Sequence, residues 1–145
     1  MKEPVFETTM RVRYQETDQM GVVHHSNYAI WFEVGRTDFI RRLGASYKDL
    51  EQRGILLPVV DLTCRFVAPA RYDDEVRIAT RISEARGPKL VFRYEVRRAE
   101  DGGVLARGTT THLWVDRHMK RINLKRSAPD IFEIISRGFP ASRGG

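Results

Sequence analysis

The sequence predicts an α+β domain in which a five-stranded antiparallel sheet wraps around one central helix. Three observations carry that prediction. Apolar and polar residues alternate over most of the chain, which is the period of strands with one wet face. One stretch, from Tyr28, switches to helical spacing and is apolar beyond a single stripe. Turn signals, Arg86-Gly87-Pro88-Lys89 and Asp101-Gly102-Gly103, separate consecutive alternating rows and make those rows antiparallel neighbours. A hydrophobic helix followed by long strands buries itself most simply by curling the sheet over the helix. Such a sheet leaves an edge strand unpaired, and a second copy of the chain satisfies that edge, so a homodimer is expected.

In chain order, Phe6, Thr8, Met10, Val12 and Tyr14 alternate with Glu7, Thr9, Arg11 and Arg13, giving a first strand. Tyr28, Trp31, Phe32, Gly35, Phe39 and Leu43 share one helical stripe, with Ser26 as N-cap and Gly44 as C-cap. Ile30, Val34 and Ile40 widen its apolar surface, so burial on more than one side is expected. Ser46 to Arg53 reads as a short helix stopped by Gly54. Four inward strand rows follow: Val60, Leu62, Cys64 and Phe66; Val76, Ile78 and Ile82; Leu90, Phe92, Tyr94 and Val96; Val104, Ala106, Thr110 and Trp114. Ala128 to Arg137 forms a closing helix. Residues 1–137 then make a single domain, and 138–145 a loose C-terminal tail of Gly, Ser and Arg.

The chain has 145 residues, enough for one core and too few for two ordinary domains. No run approaches the ~18 apolar residues of a membrane span, and MKEPVFETTM lacks a secretory core, so a cytoplasmic protein is expected. Cys64, the only cysteine, precludes an intrachain disulfide or a thiolate zinc cluster and reads as core. His24, His25, His112 and His118 show no metal-ligand spacing with acids, so neither a metal nor another cofactor is expected. The net charge of +6 favours anionic partners, although most arginines alternate with apolar residues as a solvated strand face does. Nucleic-acid binding lacks its usual aromatic residues interleaved with a basic groove.

The densest chemistry lies in "YQETDQMGVVHHSNY", residues 14 to 28, between the first strand and the central helix. Gly21 permits a sharp bend, and unpaired N–H groups at the helix N-terminus suit a polarised carbonyl or an oxyanion. The amide of His25 or Ser26 would face that site. Taken singly, Asp18 is a turn former, Tyr14 a core residue and either histidine a hydrogen-bonder; spacing alone does not choose between His24 and His25.

"RVRYQETDQMGVVHHSNYAIWFEVGRTDF" resembles the motif of hotdog-fold acyl-CoA thioesterases of the 4-hydroxybenzoyl-CoA thioesterase type, especially the bacterial YbgC-like branch. The likeness continues through "RFVAPARYDDEV" and "EARGPKLVF", over roughly residues 5 to 120. The resemblance implies a hotdog fold, a homodimer often assembled into a homotetramer, and an active site at the dimer interface. It also implies a Tyr/Asp/His catalytic set at Tyr14, Asp18 and His25. Asp18 takes the place of the carboxylate that attacks the thioester carbonyl or activates a water. The His25 amide takes that of the carbonyl-polarising donor. The His25 side chain and Tyr14 orient substrate or water.

Arg71, Arg86 and Lys89 are the candidates for binding the phosphates of the acyl-CoA substrate, with the Arg117 to Arg126 cluster behind them. Pro88-Lys89 stands where the family often has a small hydroxyl residue. Glu33, near Arg36 and Thr37 on the helix, is a reserve carboxylate. Hydrolysis of an acyl-CoA to acid and CoA is the expected reaction. A non-catalytic acyl-CoA-binding module and a thioesterase for acyl carrier protein are the alternatives. A hydratase is open to the fold but not favoured by the Tyr/Asp/His spacing.

Overall fold

The computed structural model describes residues 4–140. Its elements are β1 (Phe6–Arg11), α1 (Ser26–Leu43), α2 (Tyr47–Gln52), β2 (Val59–Phe66), β3 (Glu75–Arg86), β4 (Lys89–Arg98), β5 (Val104–Leu113), α3 (Leu124–Ser127) and α4 (Pro129–Gly138). The strands form one sheet in the order β1-β3-β4-β5-β2, with every neighbour antiparallel. The expected turns join β3 to β4 and β4 to β5. The two edges are β1 and β2.

α1 packs on the sheet through β1, β3 and β4 and buries the expected stripe, Tyr28, Trp31, Phe32, Gly35, Phe39 and Leu43, together with Ile40. Phe32 stacks on Tyr94 with ring centroids 4.3 Å apart, and Phe39 meets Phe92 edge-on at 5.9 Å. Burying side chains of this size contributes about 1.5–3 kcal/mol each. Gly35 sets the approach of helix to sheet, because a Cβ there would stand 2.5 Å from the Thr80 hydroxyl. Gly44 ends the helix in the left-handed conformation, and Ser46 caps α2 by accepting the Asp49 N–H at 3.2 Å.

Under α1 runs a chain of buried polar groups. Tyr94 Oη lies 2.5 Å from Thr110 Oγ1, which lies 2.8 Å from His112 Nε2, and His112 Nδ1 lies 3.2 Å from the Leu57 carbonyl. A carbonyl only accepts, so Nδ1 carries the proton and Nε2 accepts from Thr110, whose oxygen in turn accepts from Tyr94. Burial pushes the His112 pKa down to about 4 and keeps the ring neutral at pH 7.

Several expectations are corrected. β1 stops at Arg11, because the Val12 N–H turns to the Asp74 carbonyl and Tyr14–Glu16 coil into a 3₁₀ turn. Ile30 is 48% exposed and Val34 half-buried, so α1 is not covered on its outer side within the protomer. A register shift at Val96/Arg97 inserts Leu105 into β5 as a bulge; Leu105 is fully buried and Val104 only half so. In β2 the row Leu62, Cys64 and Phe66 faces the helix side, but Leu62 and Phe66 stay 42% and 52% exposed and Cys64 half-buried. Cys64 is therefore not a core residue of the protomer. The tail does not begin at Gly138, which is buried against Leu43, Phe39 and Ile82; residues 141–145 lie outside the described residues. No helix among the described residues is long and apolar enough to cross a membrane.

Candidate active site

The stretch between β1 and α1 folds back on itself as a small hairpin. Thr17 bridges Val23, the Asp18 N–H donates to the Val22 carbonyl at 2.9 Å, and the His24 N–H donates to the Glu16 carbonyl at 2.8 Å. Gly21, at φ 79°, supplies the left-handed residue this bend requires. Asp18 sits near the tip of this hairpin and His25 at its root, where α1 begins.

Asp18 is half-buried. Its Oδ1 accepts the Met20 N–H at 2.8 Å, while no hydrogen bond among the described residues uses Oδ2. One oxygen thus fixes the turn and the other is open to a reacting partner.

The root of the hairpin is where α1 begins. His24 N–H is bound to Glu16, Asn27 N–H to the His24 carbonyl at 3.0 Å and Tyr28 N–H to the His25 carbonyl at 3.2 Å. The Ser26 N–H is taken by His24 Nδ1 at 3.2 Å. His25 N–H alone in this run has no acceptor among the described residues, and it stands at the positive end of the 18-residue helix. Ser26 is therefore not the N-cap: His25 holds that position and the His24 ring does the capping, since an imidazole reaches two residues forward. The His25 ring lies 4.2 Å from that of His24 and 6.4 Å, edge-on, from Phe66 on β2.

Tyr14 is not core. It is 75% exposed, meets Tyr72 edge-on at 5.8 Å, and has no described contact with Asp18 or His25.

A residue to which the sequence reading gave no role holds the hairpin to the helix. Glu16 is 1% exposed, and its carboxylate accepts the Arg13 N–H at 2.8 Å and the Trp31 indole N–H at 2.9 Å, with Arg13 Nε at 3.5 Å. Its carbonyl also accepts Asn27 Nδ2 at 3.0 Å. Burial alone would raise the Glu16 pKa, but these hydrogen bonds and the Arg13 charge outweigh it and hold the carboxyl below its ordinary value. The signal available in sequence was an acid one residue before Thr17-Asp18 with an indole on the buried stripe.

The phosphate-binding candidates separate. Arg71 pairs its backbone with Val22 and so borders the hairpin. Arg86 and Lys89 lie at the opposite end of β3, eleven residues from Glu75 and roughly 36 Å away at strand rise. Lys89 there pairs with Glu84 at 3.3 Å. The Arg117 to Arg126 segment shares that far end, where Trp114 N–H meets the Pro88 carbonyl and Arg117 donates to the Gln52 carbonyl at 3.1 Å. Glu33 is exposed and 3.9 Å from the largely buried Arg36, with no described contact to the hairpin. No group of three His, Cys, Asp or Glu among the described residues is arranged to hold a metal.

The sequence profile of the Thioesterase-like superfamily matches residues 12–133. The chain is 39% identical to YneP of Bacillus subtilis over 122 residues, 83% of this chain and 88% of that protein. It is 36% identical to an Escherichia coli acyl-CoA thioester hydrolase, YbgC, over 101 residues, 70% of this chain and 75% of that one. Its fold superposes on a DHNA-CoA thioesterase from Staphylococcus aureus with a TM-score of 0.90 at 36% identity, covering 97% and 95% of the two chains. A sheet of this order around a helix, a hairpin closing on the helix N-terminus and these likenesses lead to one statement: the chain belongs to the thioesterase-like superfamily, as a hotdog protein of the YbgC type.

Proposed function

We propose that the protein is a cytoplasmic acyl-CoA thioesterase that works as a dimer, with Asp18 and the His25 amide as its reacting centre. The observation that carries this reading is the unaccepted His25 N–H at the start of α1, on the same hairpin as a carboxylate with a free oxygen. The amide polarises the thioester carbonyl and stabilises the oxyanion as charge develops; one such donor is worth about 3 kcal/mol in the transition state. Asp18 attacks that carbonyl or draws a proton from water. Tyr14 and the His25 ring orient substrate or water from the open side of the hairpin.

The second copy pairs along β2. That edge exposes Val59, Val60, Leu62, Phe66 and Val67, each at least 41% accessible, beside the His25 and Tyr28 rings. Antiparallel pairing of two β2 strands sets the far end of one sheet beside the hairpin of the other. The partner's Lys89 and Arg86 then come within about three strand spacings, roughly 14 Å, of the edge and join Arg71 around the CoA phosphates. Assembly of two dimers into a tetramer follows the family's habit.

Acyl carrier protein in place of CoA is the second reading, favoured by a 28% identity over 110 residues to an acyl-acyl carrier protein thioesterase of Arabidopsis thaliana. Free-thiol release from short, medium, long-chain and hydroxybenzoyl CoA thioesters, and from acyl carrier protein, tests both. Turnover of at least one CoA thioester is expected. Turnover of the carrier substrate alone selects the second reading, and no turnover with any substrate overturns both.

A further inference from the structure

The face of the sheet turned away from α1 carries three arginine pairs set directly across neighbouring strands: Arg77 with Arg97, Arg81 with Arg93, and Arg65 with Arg107. Like charges opposite one another on a sheet repel, and a bound anion offsets that repulsion. Glu95 answers two of the three pairs. Its Oε1 accepts Arg97 Nε at 2.7 Å and its Oε2 accepts Arg107 Nε at 3.0 Å, so both oxygens are engaged. No side-chain hydrogen bond or ion pair among the described residues reaches Arg81 or Arg93. Of the three pairs, this one alone has neither member answered.

The same two side chains line a cavity of about 430 Å³, together with Glu95, Arg107, Thr63 and Thr109. Arg81, Arg93, Thr109 and Thr63 form one row across β3, β4, β5 and β2, and Arg107 stands beside that row, two residues from Thr109 on the same face of β5. Ala79, the neighbour of Arg81 on that face of β3, presents only a methyl group and leaves the cavity open. Arg107 spends its Nε on Glu95, and neither of its terminal nitrogens has a described hydrogen bond. Thr63 Oγ1 lies 2.6 Å from Thr109 Oγ1 and accepts the Thr109 N–H at 3.2 Å. In a hydroxyl pair of this kind one oxygen donates to the other, and the second keeps its hydrogen for a ligand.

Guanidinium forks and a hydroxyl donor, around a cavity whose one carboxylate is already bound, match the oxygens of a phosphate group. The cavity is larger than a single phosphate fills and has the size of a small-molecule site. We propose that it binds the di- or triphosphate group of a small molecule, held chiefly by Arg81 and Arg93, with Arg107 and Thr109 completing the cradle. The site lies on the opposite face of the sheet from α1, whose N-terminus carries the His25 amide, so its ligand does not compete with an acyl-CoA held there. It is independent of the thioesterase reading and its test needs no turnover.

Calorimetric titration of the full chain with inorganic pyrophosphate tests the proposal. Saturable binding at one site per protomer is expected, weakened roughly tenfold or more by Arg81→Gln and by Arg93→Gln. Arg77→Gln removes the same charge from the same face outside the cavity, and is expected to leave binding within about threefold of the original. Arg81→Glu sets an acid opposite Arg93: it is expected to abolish binding while raising the thermal midpoint of the free protein, because a like-charge pair becomes an ion pair. A variant that merely misfolds would lower both.

Absence of saturable pyrophosphate binding would overturn the proposal, and so would equal weakening by Arg77→Gln, which reduces the site to the general field of a basic face. ATP and CoA titrated in parallel distinguish the sources of the phosphate. ATP binding tighter than pyrophosphate, and lost with Arg81→Gln, supports the site and names a nucleotide as its ligand. CoA binding lost with Arg81→Gln would put the substrate's own phosphates in the cavity and overturn its separation from the reacting centre. Thioester turnover without pyrophosphate binding rejects this inference alone, and pyrophosphate binding without turnover rejects the functional reading alone.

Discussion

β4 and β2 are written in the same pattern and end in opposite environments. Leu90, Phe92, Tyr94 and Val96 in β4 are at most 1% exposed, whereas Leu62 and Phe66 in β2 keep about half their surface. The alternation that predicts a strand specifies which residues share a face and not what covers it. β4 is third in the sheet order and lies under α1; β2 is the edge beyond β5 and meets α1 at the start of the helix, through Phe66 and Tyr28. An uncovered apolar edge beside Phe66, whose ring meets that of His25 edge-on, ties the unsatisfied part of the fold to the site proposed for the chemistry.

The sharpest test of that contrast pairs Phe92→Ala with Leu62→Ala. Phe92→Ala empties a fully buried site and is expected to cost 3–5 kcal/mol at every protein concentration in urea unfolding. Leu62→Ala is expected to cost about 1 kcal/mol or less when the protein is dilute, with its loss appearing as concentration rises into the dimeric range. Equal losses at all concentrations would mean that Leu62 is covered within the protomer.

The buried chain beneath α1 predicts an acid limit. His112 is neutral in the folded state with a pKa of about 4 and titrates near 6.5 when unfolded. Between those values the unfolded chain binds more protons, so stability falls as pH drops from 6.5 towards 4, by on the order of 3 kcal/mol in all. His112→Asn flattens that limb of a plot of stability against pH. A His112 ring that titrates near 6.5 in the native protein, followed by NMR, would contradict the assignment.

Glu16 predicts a smaller loss with a distinct signature. Glu16→Gln leaves a buried site short of an acceptor and costs about 1–3 kcal/mol. Turnover falls, because the hairpin is no longer held to α1, while substrate KM changes little. The depressed Glu16 pKa adds stability that is complete above the ordinary glutamate value and is lost as pH falls through the folded value, a dependence the variant lacks. The smallest effect is expected at the far end of the sheet: Arg86→Ala and Lys89→Ala each raise KM for an acyl-CoA a few-fold with kcat unchanged. A change in kcat would place them at the reacting centre.

The strands, both turns, α2, α4 and the buried stripe of α1 were legible from period and helix-stop signals, because each is decided by near neighbours in sequence. What escaped depends on contacts between distant residues. A carboxylate that meets an indole fifteen positions on reads in sequence as one polar turn residue and one core residue, so the Glu16–Trp31 tie left no local mark. The Tyr94, Thr110 and His112 chain hides inside rows that look simply apolar. Tyr14 alternates as a strand residue does, yet Arg13 and Glu16 draw it into a turn and expose it. At the helix start the spacing left two histidines equal, and only the hydrogen bonds separate His24 the cap from His25 the free amide.

The measurement that bears most directly on this account is single-turnover hydrolysis of a CoA thioester by Asp18→Asn beside the unaltered protein, with binding of the same thioester followed by calorimetry. The account predicts that binding persists while the rate falls by at least three orders of magnitude, about 4 kcal/mol of transition-state stabilisation. Hydrolysis within tenfold of the original would remove Asp18 from the reaction and contradict the site proposed here.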